Sequence, residues 1–266
     1  MPDKFSTPLK IEKKKKEKEL FREFLGKVRR YYAGEIRIRG WRGSFAEGRG
    51  FLAYADFLGL EFVGFAGRVR KNFSAKPRVL SVAEIGAENP IPANADLAFA
   101  ACPLSGQGGP AMIIKWLAAA SGGKKADIIG RPRDGWEFFG GKAEAYWPLW
   151  KETFARMAAL GKVLEIDLRF FHPKKDFYRK FFSLAARAGL RFSLSLDIYK
   201  LFQLSERPLP ARGRKDFSRQ RKMAYLDAAG KIYDFSALCQ RLGVGPGRII
   251  NSSLFALEKF LARKNK

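Results

Sequence analysis

Cationic and aromatic side chains stand where short apolar runs of this sequence end. They are Arg37, Arg39, Arg68, Arg131 and Tyr199. A guanidinium has five N–H donors, no lone pair for a metal ion and a permanent charge, and its planar fork fits the oxygens of a phosphate. If the apolar runs are parallel strands of one sheet, their carboxyl ends meet at one edge. The spacing therefore predicts a site for an anion, with phosphate as the best fit.

The elements that would position these residues are seven short runs rich in apolar, β-branched and aromatic residues. Their near-continuous apolar character is typical of strands covered on both faces, as in a parallel sheet or barrel. Longer helical patterns alternate with them, which predicts an α/β fold, a right-handed TIM-like (β/α)7 barrel. The predicted strands are 36–38, 60–65, 79–83, 96–101, 127–129, 163–168 and 192–196, and the predicted helices between them are 50–58, 110–120, 147–160 and 174–188.

The chain of 266 residues divides into a basic N-terminal extension and one barrel domain. Residues 1–33 contain a helical pattern that begins with the lysine run 13–16. The barrel domain covers 34–266. Within it, the segment 206–222 is rich in proline and basic residues, which predicts a long loop or arm, and two closing helices are predicted within 233–263.

The arm combines positive charge with an aromatic side chain. Phe217 follows Arg212, Arg214 and Lys215, and it precedes three further basic residues, Arg219, Arg221 and Lys222. Cations with an interleaved aromatic suit phosphate contact plus base stacking, which is how unpaired RNA is commonly held. A solvated, disordered loop fits the same composition equally well.

The charge balance favours a polyanionic partner. Lys and Arg number 51 against 26 Asp and Glu, for a formal net charge of +25. This excess is far beyond what solubility asks of one domain. Nucleic acid is favoured over a membrane surface because the basic residues are spread along the chain and the lysine run has no strong apolar anchor beside it. A highly charged solvated surface is the alternative.

Cysteine content and hydropathy indicate the compartment. Cys102 and Cys239 are too few and too far apart for a disulfide scaffold or a CxxC motif, which favours a reducing cytoplasm. The first residues lack the apolar stretch of a signal peptide, and no run of about 18 apolar residues occurs. We therefore expect a cytoplasmic protein without a membrane partner.

Taken in order, seven short segments resemble the motifs of the polymerase and histidinol phosphatase (PHP) superfamily of metal-dependent phosphoesterases. The first begins like that family's Gly-Asp-Leu-His-x-His strand, and the others match later motifs by order and spacing over roughly residues 34–263. The segments are Gly34–Arg39, Ala46–Gly48, Gly59–Val63, Ala126–Pro132, Leu164–Asp167, Leu196–Tyr199 and Ile249–Leu254. The resemblance implies a barrel with the site at the carboxyl ends of its strands.

The same resemblance implies that the metal site is incomplete. The arginines at 37, 39, 68 and 131 and the tyrosine at 199 occupy histidine positions of the family, and only Glu84 and Asp197 remain among its metal-binding residues. We therefore expect no metal cofactor. A looser resemblance to the PHP-related protein subunit of ribonuclease P, which also lacks a complete metal cluster, implies an accessory RNA-processing subunit of a ribonucleoprotein.

Other functions fit the same residues. A working phosphoesterase could use Glu84, Asp197, Asp167 and His172, the only histidine, around a smaller divalent-metal site. Cys102 could act as a phosphatase-type nucleophile, although the loop after it lacks the arginine that such a loop requires.

Two further alternatives involve no catalysis. The arginines could be closed off in salt bridges with Glu35, Asp167 and the two retained acids, because a buried arginine needs an anionic partner. The chain could also be a purely structural partner of another protein. The leading hypothesis is a metal-free barrel that binds nucleic acid, RNA before DNA, through the arginine positions and the arm.

Overall fold

The computed structural model describes residues 16, 18–23, 25–26, 30–38, 45–66, 77–85, 95–101, 119–120, 126–130, 143–169, 171–196, 198–206 and 214–264. For some of these, including 37, 84 and 214–222, it describes the backbone alone.

Seven parallel strands, hydrogen-bonded in chain order from the first to the last, form a nearly closed barrel. Each lies within two residues of a predicted strand, so the predicted (β/α)7 barrel is confirmed. The strands are Gly34–Ile38 (β1), Phe62–Ala66 (β2), Arg78–Ile85 (β3), Leu97–Ala101 (β4), Ile128–Gly130 (β5), Val163–Asp167 (β6) and Arg191–Ser195 (β7).

Helices follow several of the strands on the outside of the barrel. They are Phe45–Phe57 (α1), Trp147–Ala159 (α2), Asp176–Arg187 (α3), Ile198–Glu206 (α4), Arg214–Arg241 (α5) and Leu254–Lys264 (α6), with short 3-10 turns at Ala143–Tyr146 and Pro246–Arg248. The predicted helices 50–58, 147–160 and 174–188 are confirmed, and the described residues between 16 and 26 are helical. Most of the predicted helix 110–120 lies outside the described residues. Within the described ranges, none of the helices combines the length and apolar character needed to cross a bilayer.

Alternation along the strands sorts the apolar side chains into an inner and an outer core. The outer core lies between the outward-facing side of the strands and the helices. Within it, Trp150 and Phe154 each contact Phe181 edge-on. The inner core fills the barrel and is closed at the amino ends of the strands by α6. Its members are Ala33, Ile36, Phe62, Leu80, Val82, Leu97, Phe99, Ile128, Val163, Ile250, Leu257 and Phe260.

The seam between β1 and β7 is closed by the segment that precedes α6. Ile250 donates its N–H to the carbonyl of Phe192 at 2.8 Å. The fully buried side chain of Asn251 accepts a hydrogen bond from the N–H of Leu194 and donates to the carbonyls of Leu194 and Gly34, all at 2.8 Å. One amide thus joins the first strand to the last, because it offers both a donor group and an acceptor.

The prediction of a loop across 206–222 is wrong for its second part. Glu206 ends α4, and residues 214–222 form the start of α5, a helix of 28 residues. The signals for a loop, Pro208, Pro210 and Gly213, all precede this helix. After them the sequence has no glycine or proline until Gly230 and is rich in Arg, Lys, Gln, Met and Ala, which favour a helix.

Gly64 is required by the close approach of β1 to β2. A Cβ atom at this position would overlap the carbonyl oxygen of Ile36 and lie 2.9 Å from Cγ2 of Val82. We expect Gly64→Ala to lower the free energy of unfolding by about 3 kcal/mol, because backbone atoms cannot move aside within a sheet. Urea unfolding measures this loss.

Gly230 provides the matched control for that substitution. It lies within α5, and a Cβ atom there would meet nothing within 4 Å. Gly230→Ala should therefore raise stability by about 0.5–1 kcal/mol, because alanine restricts the unfolded chain and favours a helix. Equal effects of the two substitutions would contradict the strand packing described above.

Candidate functional site

The mouth of the barrel is defined by the carboxyl ends of its seven strands. Arg37 is the fourth residue of β1 and Glu84 the seventh of β3. Because the strands are parallel, the backbone of both residues lies near this end of the barrel. Arg39, Arg68, Arg131 and Asp197 follow the strands β1, β2, β5 and β7 in sequence, but they lie outside the described residues, as does Arg212. Convergence of the arginines on one cavity stays a prediction.

Tyr199 is placed in the core near the mouth. It is the second residue of α4 and only 3% exposed. Its ring meets Phe51 edge-on at 5.5 Å between centroids and stacks on Phe202 at 6.0 Å. The aromatic contacts explain why a large side chain is tolerated here. A role in anion binding stays a prediction.

Part of the basic arm lies in a helix and not in the predicted loop. Arg214, Lys215 and Phe217 begin the helix α5, where the structure describes the backbone alone. Cations in the first turns of a helix oppose its macrodipole, since the helix amino end is itself partly positive. An anion beside these turns would relieve that repulsion.

Four polar side chains lie next to one another in the carboxyl-terminal parts of β6 and β7. Glu165 pairs in register with Ser193, and Asp167 with Ser195, and all four are at most 8% exposed. The Glu165 carboxylate lies over Gly130, where a Cβ atom would overlap it and the ring of Phe99. Since Phe99 belongs to the inner core, Glu165 faces the interior of the barrel.

The carboxylate of Asp167 forms an ion pair with the guanidinium of Arg169. Arg169 donates from Nε to Oδ1 at 3.0 Å and from Nη2 to Oδ2 at 2.8 Å, and its backbone N–H also donates to Oδ1 at 3.1 Å. This fork occupies both carboxylate oxygens. Asp167 is therefore paired within the chain, as the closed-network alternative predicted, but with an arginine that the sequence had not singled out.

Glu35 has a structural position in the same region. It is fully buried, and its Oε2 accepts hydrogen bonds from the hydroxyl of Tyr32 at 2.7 Å and from the N–H of Leu196 at 2.9 Å. Leu196 directly follows β7, so this carboxylate helps to close the seam with β1. Both of these hydrogen bonds come from neutral donors.

The polar pairs on β6 and β7 were missed as a set, although the sequence carries a signal for them. Polar residues stand at every second position of two otherwise apolar runs, Glu165 and Asp167 in one, Ser193 and Ser195 in the other. Side chains two residues apart share one face of a strand. The Oγ of Ser195 is buried and has no hydrogen-bond partner among the described residues.

Of the four candidate metal ligands, the structure describes the side chains of Asp167 and His172. No group of three or more potential ligands occurs among the described residues, and the carboxylate of Asp167 is already bound to Arg169. His172, the candidate base of the phosphoesterase alternative, is exposed in the turn before α3, and its ring meets Tyr178 edge-on. No metal-dependent step is derived from this arrangement.

Cys239 is a free thiol within α5 and fully buried, whereas Cys102 lies outside the described residues. Burial raises the pKa of Cys239 from 9.0 to about 12, and the charge of Arg248 lowers it only in part. The reactive thiolate is therefore scarce at neutral pH, so Cys239 is not a nucleophile.

The raised pKa of Cys239 predicts a loss of stability at alkaline pH. The neutral thiol stabilises the fold fully below the unfolded pKa of 9.0, and this contribution disappears as pH rises toward about 12. We expect a loss of about 1 kcal/mol by about pH 10 that is absent from Cys239→Ala. Urea unfolding of both proteins at about pH 8 and about pH 10 measures it. Parallel losses in the two proteins would contradict the assignment.

Comparison with known proteins gives no match at the level of sequence: no protein-family model matches the chain, and no curated protein is significantly similar to it. Among solved structures, the chain is similar to the histidinol phosphate phosphatase from Lactococcus lactis subsp. lactis Il1403, determined with zinc, L-histidinol and phosphate. That superposition has a TM-score of 0.47 at 14% identity and covers 79% of this chain and 92% of that chain.

Proposed function

We propose that this chain is a metal-free PHP-like barrel that binds nucleic acid, RNA in preference to DNA, through the arginines of its mouth and the basic start of α5. As its biological setting we propose an accessory RNA-processing subunit, similar to the protein subunit of ribonuclease P.

The observation that carries the proposal is the uncompensated positive charge. The net charge is +25, while Glu35, Glu165 and Asp167 are buried. Carboxylates held in internal contacts do not form ion pairs with the cations on the surface. An excess of this size favours a polyanion, and nucleic acid supplies a regular row of phosphates.

The types of residue at the mouth support an anion in place of a metal. A guanidinium about 4 Å from a divalent ion costs on the order of 8 kcal/mol at an effective dielectric constant near 20, and four arginine positions lie near strand ends in the sequence. The same group binds a phosphate with two parallel hydrogen bonds. The ion pair of Asp167 with Arg169 supports the proposal, because a guanidinium there occupies both oxygens of a carboxylate that a metal ion would need.

The preference for unpaired RNA rests on the start of α5. Five basic residues and Phe217 lie among the first nine residues of this helix, 214–222. Positive charge beside an aromatic ring suits a single strand, whose phosphates and splayed bases are both accessible.

Binding in the absence of metal tests the proposal. A short fluorescent single-stranded RNA should bind the full chain in excess EDTA, more tightly than DNA of the same sequence, and added Mn²⁺ or Zn²⁺ should not increase its affinity. A chromogenic phosphomonoester and the RNA itself should remain intact. Stoichiometric metal uptake with phosphoester hydrolysis would overturn the proposal in favour of a working phosphoesterase, and absence of binding would leave a purely structural protein.

A further inference from the structure

The helix α6 carries an exposed aromatic and cationic stripe at the end of the barrel opposite the mouth. Phe255, Lys259 and Arg263 stand four residues apart, so they share one side of the helix at intervals of about 6 Å. All three are exposed, Phe255 to 73% of its surface. Packing of the barrel does not account for this ring, because the buried side of α6 is formed by Leu257 and Phe260.

Contacts with the starts of two strands place α6 at the amino ends of the barrel. The N–H of Leu254 donates to Oε2 of Glu61, just before β2, and Ser253 caps the helix through the N–H of Ala256. Arg78, the first residue of β3, pairs with Glu258 at 2.6 Å. The stripe is therefore held on a rigid helix far from the predicted arginine site.

The helix α6 itself carries three basic residues and a single acid. Glu258 is the only acid of α6, and it forms an ion pair with Arg78. Arg191, the first residue of β7, lies with its guanidinium 5.9 Å from the centre of the Phe260 ring. Burial and the neighbouring charge of Arg263 both lower the pKa of Arg191, so the two guanidiniums repel each other.

Two repelling guanidiniums are stabilised by an oxyanion that binds between them, and a phosphate accepts hydrogen bonds from both. An exposed aromatic ring in line with such cations adds a face on which a base can stack. Neither feature alone specifies a ligand, but together they match the alternation of phosphate and base in a single strand.

We propose that Phe255, Lys259, Arg263 and Arg191 form a second binding surface for single-stranded RNA, on the face of the barrel opposite the mouth. Phe255 stacks on a base, and the three cations contact successive phosphates. The surface extends the proposed function to a second segment of the same strand or to a second strand, and it does not depend on the residues of the mouth.

Two variants of the full chain separate the two kinds of contact. Phe255→Ala should weaken binding of single-stranded oligouridylate by about tenfold and leave the salt dependence unchanged, because only stacking is lost. Arg191→Gln with Arg263→Gln should weaken binding and lower the slope of log K against log salt by about 1.4, because two phosphate contacts are lost. Arg156→Gln with Arg187→Gln, at exposed helix ends elsewhere, is the control with the same change of charge.

Cross-linking gives the direct measurement. An RNA with 4-thiouridine should cross-link to Phe255 or its neighbours in α6 on irradiation, with the modified peptide identified by mass spectrometry. Unchanged affinity of Phe255→Ala together with absence of that cross-link would overturn the inference. If substitution of the mouth arginines abolishes binding while both α6 variants bind like their control, this surface fails and the proposed function stands.

Discussion

Replacing Asn251 with alanine should lower the free energy of unfolding by about 3–6 kcal/mol, a third or more of the stability of an ordinary domain. The side-chain amide satisfies the N–H of Leu194 and the carbonyls of Leu194 and Gly34 across the seam between β7 and β1. Truncation leaves three buried backbone groups without partners, and each costs about 1–3 kcal/mol. Urea unfolding followed by tryptophan fluorescence measures the loss.

Two further substitutions show whether donors and acceptors are both required at this seam. Asn251→Asp keeps the size and can accept from Leu194, but it cannot donate to either carbonyl, so we expect nearly the same loss. Ser253→Ala, two residues later, removes only the cap of α6 and should cost about 1 kcal/mol. If Asn251→Ala costs no more than Ser253→Ala, the amide does not close the barrel.

The second large effect concerns the arginines of the mouth. We expect combined substitution of Arg37, Arg68 and Arg131 with glutamine to weaken RNA binding by about a thousandfold, since each charge-assisted hydrogen bond contributes about 1.5–3 kcal/mol. Glutamine keeps polarity and much of the length while removing the charge. The fold should be retained, and its circular dichroism spectrum and unfolding midpoint serve as checks.

Loss of three positive charges would weaken any binding to RNA, so the control carries the same change of charge. Arg156, Arg187 and Arg241 are exposed in the last turns of α2, α3 and α5. Their combined substitution with glutamine should weaken binding by less than about tenfold, because exposed charges separated by more than a Debye length are screened. Equal losses of RNA affinity in the two triple variants would contradict a specific role of the mouth arginines.

The strands could be predicted from the sequence because each is a nearly continuous apolar run covered on both faces. The runs around Val63, Ile129 and Leu194 illustrate this, since all three contribute side chains to the outer core. Phe62 and Ile128, from the first two runs, belong to the inner core. Order and parallel pairing followed from the alternation with helices. These are local properties, which composition and periodicity record directly.

Two parts of the fold could not be predicted from local patterns. The loop interpretation of 206–222 gave too much weight to Pro208 and Pro210, which both precede α5. The closing of the seam depends on Asn251 meeting Gly34, 217 positions away, and spacing contains no information about such a pair. The resemblance singled out the segment around Asn251 but not its role.

The site was predicted by residue type more than by geometry. The pairing of Asp167 with an arginine agrees with the closed-network alternative, but Arg169 was not among the predicted arginines. The partner of a buried carboxylate depends on a loop conformation that periodicity does not determine. By contrast, the burial of Glu165 and Asp167 could have been inferred from their alternate positions in β6.

The central claim is that arginines at the mouth bind the phosphates of RNA, and the salt dependence of binding tests it most directly. Plots of log K against log KCl concentration should be linear and steeply negative for the wild-type chain, in EDTA. The slope should be smaller by about 2 for the variant lacking Arg37, Arg68 and Arg131, because three phosphate contacts to a single strand are lost. A flat plot for the wild type, or identical slopes for that variant and its charge-matched control, would contradict the account.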